Sequence, residues 1–211
     1  YSISFYLSFL FLKKNNTFAP IMSEPKTLLD RHKFGLVIER IAHQLLENHG
    51  DFSNSALIGI QPRGVFLSDR IVTYLQSLIQ VELLYGKLDI TFYRDDFNTT
   101  ASLPLPAQTS INFSIENKKV ILLDDVLFTG RTIRSAMDAL IDFGRPAKVE
   151  LATLIDRRFS RQLPIQPDYT GLVIDSMFEQ KVKVKWKERD GKDEVVLMNA
   201  ISDENKSTKK Q

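Results

Sequence analysis

A continuous apolar stretch, Val120-Ile121-Leu122-Leu123, stops at two adjacent carboxylates, Asp124 and Asp125. An unbroken apolar run of strand length suits a strand covered on both faces, as in a parallel sheet. Val126-Leu127-Phe128-Thr129-Gly130-Arg131-Thr132 follows as a short loop. Ile133, Ala136, Met137 and Leu140 then recur at helical spacing, and Gly144-Arg145-Pro146 ends the helix. A buried strand, an acid pair, a loop and a helix in this order leave few fold classes open.

The rest of the chain reads the same way. Residues 27–49 carry Phe34, Val37, Ile38, Ile41, Ala42 and Leu45 at helical spacing, with Gly50 as a stop. Ala56 to Ile60 has strand length, and Gln61-Pro62-Arg63-Gly64 breaks it. Val65 to Ile79 is again helical, residues 88–93 read as a strand, and Val149 to Ile155 as a further one. Between Arg94 and Asn117 lies a long polar stretch holding Pro104 and Pro106. A loop of that length inside a compact domain is usually functional or mobile. Near the C-terminus, Lys181 to Trp186 alternates with period two. Asp190-Gly191 is a turn signal, and Val195 to Met198 returns as the partner strand. Alternating strands and helices predict an α/β domain around a mainly parallel sheet flanked by helices, with a small C-terminal β hairpin.

Composition narrows the function. The formal net charge of the 211 residues is only +2, so a nucleic-acid site would have to be a local patch. Cysteine is absent, which excludes disulfides, thiolate zinc sites and thiol nucleophiles and is compatible with a reducing cytoplasm. Residues 1–21 differ from the remainder. Their apolar run, Tyr1 to Leu12, is shorter than the roughly 20 residues of a membrane span, and Lys13-Lys14 follows it rather than preceding it as in a signal peptide. We expect residues 1–21 to be an upstream-translated extension, residues 22–199 the functional domain and residues 200–211 a frayed tail.

The acid pair and the loop together describe a ligand. In open α/β sheets, ligands bind beyond the carboxyl ends of the strands. Free N–H groups at the start of a helix favour a phosphate, Gly130 permits close approach, and the hydroxyls of Thr129 and Thr132 add donors. A carboxylate beside a phosphate is unfavourable unless sugar hydroxyls or a metal intervene. Paired carboxylates are good acceptors for the hydroxyls of a ribose. The combination predicts a ribose 5-phosphate site, and the Walker pattern is absent.

Strand, Asp-Asp, Thr-Gly and Arg-Thr resemble the phosphoribosyl pyrophosphate (PRPP) motif of type I phosphoribosyltransferases. Arg94-Asp95-Asp96, Gly144-Arg145-Pro146-Ala147, Asp156-Arg157, Leu163-Pro164-Ile165 and Asp168-Tyr169-Thr170-Gly171 resemble the pyrimidine operon attenuator/uracil phosphoribosyltransferase family, PyrR, over roughly residues 27–199. The resemblance implies the type I phosphoribosyltransferase fold with a mobile loop and a hood, and transfer of ribose 5-phosphate from PRPP to uracil, giving UMP and pyrophosphate. It implies that Asp124 and Asp125 hold the ribose hydroxyls, directly or through water on Mg2+, and that Val126 to Thr132 bind the 5-phosphate. Gln61, Pro62, Arg63 and Gly64 correspond to the pyrophosphate loop, with Arg63 supplying charge. Arg94, Asp95 and Asp96 belong to the mobile cover, and Asp156 and Arg157 lie by the base. A homo-oligomer is implied by resemblance alone.

Three departures bear on specificity and regulation. Purine-specific relatives commonly carry Asp just before the Thr-Gly, where this chain has Phe128, which favours a pyrimidine. Relatives that bind a pyr leader RNA carry a first-helix arginine, matched by Arg40, but the threonine before it is Glu39 here. Arg158-Phe159-Ser160-Arg161 also replaces the usual Gly-His. The alternatives are a regulator that keeps the nucleotide site as a sensor, and a purine (hypoxanthine or guanine) enzyme. Lys181, Lys183, Lys185 and Lys187 share one face of an expected strand and read as an edge protected by lysines. His32, His43 and His49 read as surface or packing residues.

Overall fold

In a computed structural model, residues 25–94, 106–177 and 180–199 are described. The expectations for residues 1–21, for 200–211 and for Asp95 and Asp96 lie outside them. Five parallel strands form the central sheet: β2 (Ser55–Ile60), β3 (Leu84–Leu88), β4 (Lys119–Leu127), β5 (Lys148–Arg157) and β6 (Tyr169–Ile174), ordered β3-β2-β4-β5-β6. Helices α1 (Arg31–His49) and α2 (Gly64–Leu78) cover one face, packing with Leu57, Ile121 and Leu123. Helix α3 (Arg131–Leu140) covers the other, with Ile58, Ile60, Val120 and Leu122. All of these strand residues are buried, as a parallel sheet with two covered faces requires. No described helix is long and apolar enough to cross a membrane.

A second, antiparallel sheet of three strands forms the hood: β1 (Lys26–Leu29), β7 (Gln180–Lys185) and β8 (Glu194–Asn199), ordered β1-β8-β7. Trp186 anchors it, fully buried edge-on to Phe34 and stacked on Phe66. The Arg70 guanidinium lies 5.1 Å from the Trp186 ring and pairs with Glu188 and Asp193.

Several elements differ from the sequence reading. Residues 27–29 belong to the hood. Asp30 then caps α1 by accepting from Lys33 N at 2.9 Å, so the helix starts at Arg31. The strand expected at 88–93 is β3, four residues earlier, in parallel register with β2. Asp89 Oδ1 accepts from Thr91 N and Oγ1 and turns Thr91–Tyr93 into a 3-10 turn. Met137 is exposed because the buried face of α3 runs through Ile133, Ala136, Ala139 and Leu140. The expected hairpin forms between β7 and β8, but its connection holds a short helix, α4 (Lys187–Asp190), ended by Gly191, which takes Lys187 off the strand. Lys185 is paired with Glu194. The stretch before β4 is partly structured: Ser110 bridges Lys87, and Ile115 is fully buried.

Candidate active site

The carboxyl ends of β2 and β4 meet beneath the hood. Strand β4 runs on through the acid pair to Leu127, so Asp124 and Asp125 are strand residues held in register with β5 rather than loop residues. Neighbouring strand side chains diverge. Asp124 lines a cavity of about 290 Å3, whereas Asp125 accepts from Arg63 Nε at 2.6 Å. Both carboxylates are buried, and Asp124 Oδ1 accepts from Asp125 N at 2.9 Å. Burial, and secondly the charge of Asp125, push the Asp124 carboxyl well above the ordinary carboxylate range. Such a group binds hydroxyls or a cation at a gain, because either partner relieves it.

The expected phosphate loop lines the same cavity: Val126, Leu127, Phe128, Thr129, Gly130, Arg131 and Thr132, with Ile133, Gln162 and Arg94. Gly130 has φ of 92°, a left-handed conformation that lets the chain turn directly into α3. A Cβ there would also press on Ile165 and Leu163, at 3.2 and 3.3 Å. The start of α3 therefore opens onto the cavity, with its first N–H groups and the positive end of its dipole available to an anion.

The Gln61-Pro62-Arg63-Gly64 segment lies beside β4, with a cis peptide between Gln61 and Pro62. Gly64 is packed so closely that a Cβ would stand 2.3 Å from Leu123 O and 3.0 Å from Asp124 Cα. That approach sets Arg63 between the acid strand and the hood. Its Nε donates to Asp125, and its Nη2 donates to Val184 O at 2.5 Å. Gln61 Nε2 donates to Gln108 O, tying this loop to the stretch that precedes β4.

The two residues expected at the base have different surroundings. Arg157 is buried, donates to Ser176 Oγ and to the carbonyls of Met177 and Gln180, and lies 4.0 Å over the Phe128 ring. Burial lowers its pKa. Asp156 accepts from Arg161 Nη2. Arg40 is placed elsewhere: its guanidinium donates to Gly171 O on β6. Sequence reasoning missed Gln162 as a cavity residue and Val184 O as a partner of Arg63. No residue-type signal marks either, since one is a backbone carbonyl and the other an isolated glutamine.

Comparison with known proteins agrees with this geometry. Residues 25–189 match the phosphoribosyl transferase domain family. The "Bifunctional protein PyrR" of Elusimicrobium minutum is 43% identical over 173 residues, covering 82% of this chain and 96% of the relative. The protein of the same description from Deinococcus radiodurans is 44% identical over 179 residues, covering 84% and 97%. Among solved structures, a Trypanosoma cruzi hypoxanthine phosphoribosyl transferase superposes with a TM-score of 0.66 at 17% identity, covering 89% of this chain and 97% of that one. A Staphylococcus aureus hypoxanthine phosphoribosyltransferase superposes with a TM-score of 0.60 at 20% identity, covering 88% and 97%. At that identity the two structures establish the fold and leave the base open. With its acid strand, its glycine-turned loop and near-complete coverage of these relatives, the chain belongs to the PyrR family of phosphoribosyltransferases.

Proposed function

We propose that this protein transfers the ribose 5-phosphate of PRPP to uracil, forming UMP and pyrophosphate. One observation carries the reading: a buried, adjacent carboxylate pair lies near the carboxyl end of β4, and Asp124 lines a cavity together with residues 126–132. Asp124 and Asp125 accept from the ribose hydroxyls, and the loop holds the 5-phosphate. As the glycosidic bond to pyrophosphate lengthens, positive charge grows on the ribose ring and negative charge on the leaving group. The carboxylates face the first and Arg63 the second, so the residues act by position and electrostatics. Arg63 must leave Asp125 to do so, which couples substrate entry to the hood through Val184 O.

The acid pair fits a magnesium ion, because two buried neighbouring carboxylates, Asp124 driven up by burial and secondly by the charge of Asp125, favour a hard cation. Asp124 and Asp125 would hold it, directly or through its waters, and bound there it offsets charge on the leaving group. Phe128 in place of an acid, stacked beneath Arg157, supports a pyrimidine. Incubating the protein with PRPP and uracil, cytosine, hypoxanthine or guanine tests this reading. Uracil should be consumed to UMP; turnover of a purine, or of no base, would overturn it.

The bifunctional relatives favour a second activity, UMP-responsive binding of a pyr leader RNA that attenuates transcription. In this chain Glu39 adjoins Arg40, whose guanidinium is engaged by Gly171 O. Filter binding with a pyr leader hairpin, with and without UMP, tests it; retention that UMP strengthens is the expected result. We place the protein in the cytoplasm and expect it to act as a homo-oligomer.

A further inference from the structure

The segment after β5 is hydrogen-bonded along the proposed phosphate loop. Gln162 N and Leu163 N both donate to Thr129 O, at 3.0 and 3.2 Å. Arg161 Nη1 donates to Leu127 O at 3.1 Å and to Phe128 O at 2.5 Å, and also to Arg157 O. Its Nε donates to Ile165 O at 3.0 Å, and its Nη2 pairs with Asp156. One guanidinium thus joins the end of β4, the end of β5 and the Ile165 strap, and its side chain is 17% exposed.

We propose that Arg161 is a positioning residue for the phosphate loop, a role that rests on the reading of that loop as the 5-phosphate site. The C=O and N–H of a trans peptide point in opposite directions. Three consecutive carbonyls, those of Leu127, Phe128 and Thr129, are fixed outward onto Arg161 and the strap. The N–H groups of the next residues, Phe128, Thr129 and Gly130, are therefore turned away from the strap, on the loop that lines the cavity. The loop is held in its anion-binding form before any anion arrives, so the ordering cost is not charged to binding. A guanidinium spreads five donors over a rigid planar fork and so reaches the carbonyls on β4 and β5, the Ile165 carbonyl and the Asp156 carboxylate at once, whereas the three donors of a lysine ammonium converge on one atom. Asp156 balances the charge of Arg161, so the added cation leaves the base side of the cavity nearly neutral.

Affinities for UMP and for uridine, measured side by side in the wild type, Arg161→Ala and Arg161→Lys, test the role. The ratio of the two isolates the phosphate, whereas damage elsewhere in the fold lowers both together. In the wild type UMP should bind far more tightly than uridine. In Arg161→Ala, and in Arg161→Lys if the alanine variant does not fold, the ratio should fall by about tenfold or more while uridine binding is retained. Millimolar guanidinium should restore part of the ratio in Arg161→Ala, because the position is reachable from solvent, and should leave the wild type unchanged. An unchanged ratio in a folded variant, or equal loss of both affinities, would overturn the positioning role while the phosphate site stands. A wild type that does not distinguish UMP from uridine would instead overturn the phosphate site itself, and the role of Arg161 with it.

Discussion

Gly64→Ala probes how closely the Gln61–Gly64 segment, the proposed pyrophosphate loop, must sit on the acid strand. The new Cβ would lie 2.3 Å from Leu123 O, a backbone atom in the middle of the sheet that cannot yield. Ordinary contact begins at 3.4 Å, so the loop must retreat by about 1.1 Å. Arg63 precedes Gly64 and would retreat with it, stretching its 2.6 Å bond to Asp125 beyond good hydrogen-bond length. Overpacking of this kind costs about 1–3 kcal/mol of stability. A misplacement of about 1 Å at a reacting centre costs about 10²-fold in rate, equivalent to ~2.7 kcal/mol of activation free energy. Initial rates of UMP formation at saturating uracil and varied PRPP, beside urea unfolding to establish the folded fraction, measure both effects. A folded variant with kcat/KM within about threefold of the wild type would show that the tight approach has no part in catalysis.

Three further outcomes follow from the same geometry. Asp125→Asn removes the charge facing Arg63, and on the proposed ribose-binding role kcat at saturating PRPP should fall by about 10²-fold or more with little change in the thermal midpoint; unchanged kinetics would refute the assignment. Gly35→Ala meets no atom within 4 Å on helix α1 and should stabilise the protein by up to about 1 kcal/mol, read as a higher urea midpoint with activity intact. His49 donates or accepts among Ser55, Glu150 and Tyr169, with Lys119 and Lys148 nearby and Asp168 acting on Tyr169, and burial outweighs Glu150 to hold its pKa below 6.5. The unfolded chain therefore takes up the proton first, and stability that is complete above about pH 6.5 is lost as the pH falls through the lower folded pKa. Glu150, where Lys148, Tyr169 and His49 outweigh burial, adds a loss of the same sign below its ordinary 4.5. Urea midpoints between pH 7.5 and 5.5 should decline in the wild type, by no more than about 1.4 kcal/mol per pH unit, and decline less in His49→Gln.

The acid strand was legible because several levels agree there: an apolar run, a charge pair, a glycine and a helix pattern in one segment. Strand β3 was not, because Gly86 and Lys87 interrupt its apolar pattern while Thr91-Phe92-Tyr93 imitates a strand. Local side-chain bonding by Asp89 overrode that β propensity. The four residues of β1 were absorbed into a helix because a strand so short has no periodicity of its own; only pairing with β8 defines it. His49 was recognised as a packing residue, but its partners come from β2, β5 and β6, and no spacing along the chain brings them together. The same holds for Arg161, whose acceptors are mostly backbone carbonyls, invisible to any reading of residue types.

Thr27 donates to Glu194 across 167 positions, where β1 meets β8. During synthesis the amino-terminal part emerges first and waits for its late partner. The parallel sheet and the Val126–Gly130 turn have all their strands once β6 has emerged, whereas the cover above them cannot close until β8 does. Val184 O, the second anchor of Arg63, arrives with that late segment. A ribosome-bound chain stalled before β7 would thus present a complete parallel sheet and acid strand with Arg63 lacking its anchor on Val184 O.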